Sequence, residues 1–232
     1  MVLDNLFEEL KLHDFMKKVK SKSTYDLSTS LKLLVFQRIL NPNSKLATVK
    51  SQVELFGDWD IHLNAIYCYL DKLAEIKNDI QLHLHRKMSR LTNREARLVF
   101  YDVTNYYFET DIPDEEAIAE NEEIIQVGLR RRGQSKEHCP KPIVQLGLFM
   151  DTNGISISYK LFRGNQTGPV TYLPAVEEIK KQFGIERIIV VADKAMNRKT
   201  NVSAMLEQGD CWLFSQKYRG KKFTQRYSGI DS

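Results

Sequence analysis

Two aspartates stand where aspartate is out of place. Asp102 interrupts Leu98-Val99-Phe100-Tyr101-Asp102-Val103, a nearly continuous apolar run of the kind that forms a buried central strand. Asp193 directly follows a second such run, Ile188-Ile189-Val190-Val191-Ala192. Aspartate is depleted in strands, and a buried carboxylate without a partner is costly. If the two strands are parallel neighbours, both carboxylates converge at one sheet end, where open α/β sheets place their chemistry. Oxygen-only carboxylate sites suit Mg²⁺ or Mn²⁺. Two such ions about 4 Å apart activate a nucleophile and stabilise a leaving oxygen in phosphoryl transfer. The alternative is structural: Asp193 caps a following helix or turn, and Asp102 pairs with a nearby cation.

Other chemistry has less support. His83 and His85 are two apart in a predicted helix and do not share a face. Together with His138 and Cys139 they match no spacing of a structural zinc site. There is no glycine-rich phosphate loop and no local Ser-His-Asp or Cys-His arrangement. Two basic clusters stand out. Arg130, Arg131, Arg132, Lys136 and Lys141 lie after the first strand. Lys217, Arg219, Lys221, Lys222 and Arg226 lie near the C-terminus, interleaved with Tyr218, Phe223 and Tyr227. Basic residues with aromatics suit phosphate contact plus base stacking, and a solvated surface is the other reading.

The elements that would hold these residues change character along the chain. Up to about Leu91 the pattern is helix after helix. Ser28 or Ser30 can cap a helix with Leu31, Leu34, Val35 and Ile39 on its apolar face, ended by Asn41-Pro42-Asn43. Ser44 can cap the next, with Leu46, Val49, Val53 and Phe56 inward and Gly57 as its stop. This pair could be a helix-turn-helix that enters a major groove, or a plain bundle corner. Two further helices are predicted over Ile66–Ile76 and Ile80–Leu91, separated at Asn78-Asp79. After Thr92-Asn93 come strands. Leu98–Val103 is followed by 143–150, by an Asn153-Gly154 turn, and by a half-exposed strand through Ile155, Ile157, Tyr159 and Leu161. A helix over Tyr172–Phe183, the strand 188–192, a helix over Thr200–Gln208 and a strand at Trp212-Leu213-Phe214 complete the order. A hairpin followed by strand–helix alternation predicts an α/β fold: a helical domain over 1–93, then a mixed sheet with packed helices over 94–232.

Composition is consistent with this. The chain has 232 residues, 42% hydrophobic and 28% charged, values of a soluble globular protein that exclude collagen-like and wholly disordered classes. No stretch approaches the roughly 20 apolar residues of a membrane helix, and the N-terminus is not a signal peptide. Three scattered cysteines make no disulfide framework and suit a reducing compartment. The net charge of +4 averages the basic clusters against an acidic run over Glu109–Glu123 that contains no lysine or arginine.

Taken together, four blocks resemble one family. They are LVFYDVTNYYF at 98–108, GQSKEHCPKPIVQLGLFMD at 133–151, Phe162-Arg163-Gly164-Asn165, and IIVVADKAMN at 188–197. In order and spacing they resemble bacterial insertion-sequence transposases of the DDE class, IS-four-like group, across about residues 25–215. The resemblance implies an RNase H-like core in which Asp102 and Asp193 are the first two acids of a metal-binding triad. It implies two divalent ions, Mg²⁺ or Mn²⁺, double-stranded DNA (element ends and target) as partner, a homodimer when complete, and a bacterial cytoplasmic, nucleoid-associated setting. It makes Lys194 and Asn197 candidate DNA-contacting residues and the N-terminal helices the part that helps bind element ends. It places the third acid, a glutamate, on a helix beyond the fifth strand, so the chain is expected to be an N-terminal portion with an incomplete ligand set. The family more often has arginine at the position of Cys139, aspartate at that of Lys141 and glycine at that of Ala195. A non-catalytic DNA-binding or inhibitory fragment and another RNase H-like nuclease are the competing expectations.

Overall fold

The computed structural model describes residues 2–20, 26–55, 57, 59–94, 97–115, 117–118, 124–126, 128–133 and 140–215. The chain divides into two compact units, Met1–Arg94 and Glu95–Ser232.

The first unit is all helical: α1 (Val2–Glu9), α2 (Leu12–Lys18), α3 (Leu27–Leu40), α4 (Lys45–Lys50), α5 (Leu63–Glu75) and α6 (Lys77–Thr92). One core joins Phe7, Met16, Leu31, Phe36 and Tyr69; a second joins Leu33, Ile61, Ala65 and Ile66. The cap of α3 is Asp26, not Ser28 or Ser30: its carboxylate accepts from the Ser28 backbone N–H at 3.0 Å. Both serines are buried inside the helix, and the Ser28 hydroxyl bonds His13 Nδ1 at 2.8 Å. Ser44 does cap α4, accepting from Ala47 N–H. That helix is only six residues long and passes into a 3₁₀ turn at Ser51–Glu54. Its expected apolar face turns outward at Leu46 and Val53, while Thr48 is buried instead. Ile39 of α3 is likewise exposed, and Leu33 and Phe36 take the core. Between α5 and α6 the break falls at Ile76, before the expected Asn78-Asp79. Asn93, at φ 48°, ends α6 in the left-handed conformation that Asn tolerates.

The second unit is built on a five-stranded mixed sheet. Its strands are β1 (Leu98–Tyr107), β4 (Ile143–Met150), β5 (Ser156–Arg163), β6 (Ile189–Ala192) and β7 (Cys211–Phe214), in the order β5-β4-β1-β6-β7. A small antiparallel pair is formed by β2 (Ala117–Ile118), inside the acidic run, and β3 (Ile124–Gln126), directly after it. β1 pairs antiparallel with β4 and parallel with β6. It runs four residues past the expected end at Val103, because β4 pairs with it as far as Tyr107 opposite Ile143. The β4–β5 turn is held by the buried Asp151, whose Oδ1 accepts from the Asn153 and Ile155 backbone N–H groups, both at 2.9 Å. Helix α7 (Gly168–Phe183) begins four residues before the expected Tyr172 and ends at Gly184, φ 67°. Helix α8 (Lys199–Glu207) follows β6. Side chains of α7 and α8, including Tyr172, Val176, Ile179 and Met205, pack with Val99, Tyr101, Phe149, Val190 and Phe214 of the sheet. The architecture is thus α/β, a helical unit followed by a mixed sheet, as the sequence pattern predicts. Among the described residues no helix is long and apolar enough to cross a membrane.

Candidate metal centre

Strand alternation decides where Asp102 goes. Val99 and Tyr101 are fully buried in the core, so Phe100 and Asp102 emerge on the opposite face. Tyr101 fixes that phase. Its ring lies 4.7 Å from Phe149 and 5.6 Å from Tyr172, and its hydroxyl shares a 3.1 Å hydrogen bond with that of Thr171. Burial pushes the Tyr101 phenol up to about 12; the Thr171 bond acts against this and the Asp102 charge adds to it. Asp102 itself is exposed. The apolar run around it therefore does not mark a buried carboxylate in need of compensation. It marks a strand with one buried face and one open face, and the aspartate sits on the open one.

Asp193 is the first residue after β6, and it is exposed too. The parallel register between β1 and β6 ends at Tyr101 opposite Ala192. Asp102 and Asp193 are the residues that directly follow this last pair, and the register carried one step further would set them opposite each other at the inter-strand spacing of about 4.8 Å. The β6–β7 register ends at Ala192 opposite Phe214, so the same step brings in Ser215. The Ser215 hydroxyl donates to Asp193 Oδ1 at 3.3 Å. That same oxygen accepts from the Lys194 backbone N–H at 2.6 Å, which makes Asp193 the cap of a short 3₁₀ helix, Lys194–Met196. The capping alternative raised from sequence is therefore real for Asp193. For Asp102, no ion pair with a cation occurs among the described residues.

No sequence motif points to Ser215. Its signal is positional: it follows Trp212-Leu213-Phe214 by one residue, as Asp193 follows its own strand.

Two exposed carboxylates, one on the open face of β1 and one just past the end of its parallel neighbour β6, are hard oxygen donors, the set Mg²⁺ takes when it keeps several waters. The residues fit such an ion. No cluster of three or more metal-capable side chains occurs among the described residues, so the third acid implied by the resemblance is not found there.

The described members of the first basic cluster turn toward the acidic segment. Arg130 Nε donates to Asp114 Oδ1 at 2.5 Å, and its guanidinium lies over the Phe108 ring at 5.4 Å. Arg131 donates to the Asp114 carbonyl at 2.5 Å, Arg132 to that of Asp111 at 3.4 Å, and Lys141 to the Glu109 carboxylate. Burial pushes the Asp114 carboxyl up, but hydrogen bonds from Arg130 and Leu129 outweigh it and hold the group below the usual carboxylate range. Lys194 and Asn197 are exposed at the two ends of the 3₁₀ turn beside Asp193. Phe56, Lys136, His138, Cys139 and the whole second basic cluster with its aromatics (Lys217, Tyr218, Arg219, Lys221, Lys222, Phe223, Arg226 and Tyr227) lie outside the described residues.

No protein-family model matches the chain, and no curated protein matches its sequence. Among solved structures, the Mos1 transposase paired-end complex with left transposon end overlaps 90% of this chain and 66% of its own, at 12% identity and a TM-score of 0.32. The catalytic domain of Mos1 mariner transposase overlaps 70% of this chain and 66% of its own, at 11% identity and a TM-score of 0.32. The piggyBac transposase synaptic complex with hairpin DNA overlaps 93% of this chain and 47% of its own, at 11% identity and a TM-score of 0.41. The chain thus spans less than two thirds of each of these proteins, and likeness at this level is too slight to carry a function.

Proposed function

We propose that residues 95–232 belong to a divalent-metal-dependent phosphoryl-transfer core acting on DNA, of the DDE transposase kind, with Asp102 and Asp193 as two of its metal ligands. The observation that carries the reading is the register. The parallel β1–β6 pairing ends with Tyr101 opposite Ala192, and each of these is followed directly by one of the two exposed aspartates that the sequence motifs single out. The chemistry follows from that placement. A bound Mg²⁺ or Mn²⁺ would polarise a phosphodiester and lower the pKa of its bound water. The chain's own part is to hold the two carboxylates level and to orient Asp193 through Ser215 and the Lys194 backbone. The insertion-sequence assignment, the homodimer and the cytoplasmic setting belong to the same reading, on the strength of the motif resemblance.

The test is Mn²⁺ binding, followed by water proton relaxation, in wild type, Asp102→Asn and Asp193→Asn. Each substitution should weaken binding at least tenfold, as loss of a carboxylate ligand does. Unchanged affinity in both variants would remove the metal-ligand assignment. Nicking of supercoiled DNA that persists in Asp102→Asn would remove the catalytic one.

A further inference from the structure

The helical unit carries a second feature, apart from the aspartates. A groove of about 580 Å³ opens between the end of α2, the last turn of α5 and the middle of α6. Four cations, Lys18, Lys20, Lys72 and Arg86, line it against a single acid, Asp79. Its wall is preformed. Phe15 and His83 stack there with ring centroids 4.6 Å apart, and His83 Nε2 is tied to the Leu10 carbonyl at 2.8 Å. Lys72 is partly neutralised by Glu75 at 2.7 Å. Lys18, Lys20 and Arg86 are exposed and enter no ion pair among the described residues. Three exposed cations on one rim, against one acid, give it a net positive field, and a phosphodiester backbone supplies anionic groups at regular spacing to meet it.

The α3–α4 corner also carries cations, Arg38, Lys45 and Lys50, but they surround an apolar tip. Its tip exposes Ile39, Leu40 and Leu46, at 59%, 59% and 48% of their full accessibility. Its second helix is only six residues long. Apolar side chains at a helix corner gain nothing from phosphate oxygens.

We infer that the helical unit meets duplex DNA through the α2–α5–α6 groove, with Lys18, Lys20 and Arg86 on the phosphodiester backbone, and not through the α3–α4 corner. The inference rests on the reading of this chain as a DNA-acting protein and adds the surface that holds the DNA. Contacts of this kind fix position without reading sequence.

The experiment is fluorescence anisotropy with the full chain and a short duplex of arbitrary sequence, in EDTA, across a salt series. The triple variant Lys18→Gln/Lys20→Gln/Arg86→Gln should bind at least tenfold more weakly at about 100 mM salt, and its slope of log K against log salt should fall by about 0.9 per cation removed, about 2.7 in all. Should the triple variant fold poorly by circular dichroism, the single variants Lys20→Gln and Arg86→Gln should each lower the slope by about 0.9. Lys45→Gln/Lys50→Gln on α4 should change affinity less than about twofold. An unchanged slope in the groove variants, a larger loss in the α4 pair, or no wild-type binding at low salt would each overturn the groove. Because EDTA removes divalent ions, none of these outcomes depends on Asp102 or Asp193, and Mn²⁺ binding by the same chains tests the metal centre separately.

Discussion

If Asp102 and Asp193 stand level on neighbouring strands, as proposed, the placement has an energetic consequence that can be measured without any DNA. With no cation present, Asp102 and Asp193 repel each other. Adjacent strands are about 4.8 Å apart, so the charges sit on the order of 5 Å from each other. Both are exposed, so the water-like end of the Coulomb scale applies, and the repulsion is about 0.8 kcal/mol at low salt. Asp102→Asn removes it and keeps the side-chain shape. Unusually for a substitution at a proposed functional residue, the variant should be more stable than wild type in EDTA, by about 0.5–1 kcal/mol. Divalent cation should reverse the order. A ligand that binds only the folded state stabilises it by about 1.4 kcal/mol at ten times its dissociation constant. Wild type gains this and Asp102→Asn does not, so the two stability curves cross as Mg²⁺ is added. Urea denaturation at low ionic strength, with and without Mg²⁺, resolves the crossing. Loss of stability in EDTA on Asp102→Asn would refute the juxtaposition. Equal stabilisation of both proteins by Mg²⁺ would refute the shared site.

Three further outcomes follow from the packing. Asp210 is fully buried and accepts from Lys180 Nζ at 2.6 Å and from the Ile188 backbone N–H at 3.0 Å. Asp210→Ala orphans both donors and should cost on the order of 3 kcal/mol by urea denaturation; a loss under about 1 kcal/mol would show that the pair is not desolvated. Gly164 lies where a Cβ would overlap the carbonyl oxygens of Ile143 and Arg131. Gly164→Ala must move backbone, so it should destabilise by roughly 1–3 kcal/mol, and a neutral result would mean that this crossing is loose. The Asp114 carboxyl is held below its usual range in the folded state. Its contribution is therefore present above about pH 4 and lost as pH falls through the lowered folded value. Asp114→Asn should be less stable than wild type at pH 6, with the gap closing toward pH 3; a gap independent of pH would refute the Arg130 pairing.

The strands were legible because the buried face of this sheet is apolar almost without interruption and the open face is largely apolar as well. That same property concealed the direction of Asp102. In an alternating strand the exposed phase would have been plain, but Phe100, Asp102 and Val103 do not reveal which of them faces water. Tyr101 decides it, through a packed ring and the Thr171 hydroxyl, a contact across 70 residues. The helical unit misled in a related way. Apolar residues at Ile39, Leu46 and Val53 recur at helical spacing, yet they face solvent. Periodicity names a face without naming what covers it. The caps divide similarly: Ser44 serves its own helix, whereas Ser28 is drawn into the core by His13, leaving the cap to Asp26.

The capping role of Asp193 leaves room for the proposed metal at the same carboxylate. A carboxylate has two oxygens and about four lone-pair positions. At Asp193 the hydrogen bonds from the Lys194 backbone and the Ser215 hydroxyl both go to Oδ1. They hold the carboxylate's orientation through one oxygen, and Oδ2 takes neither bond. Carboxylates that bind metals are commonly held in this way by hydrogen bonds from outside the metal shell. The two functions are separable by substitution. Asparagine caps as well as aspartate but is a poorer ligand for a hard cation, so Asp193→Asn should keep apo stability within about 0.5 kcal/mol of wild type or above it while losing the Mg²⁺-dependent gain. Ser215→Ala should do the reverse in miniature, keeping the ligand but loosening its orientation, with metal affinity falling by about tenfold at most. If Ser215→Ala abolished metal binding outright, the serine would itself be a ligand and the arrangement would have to be redrawn around it.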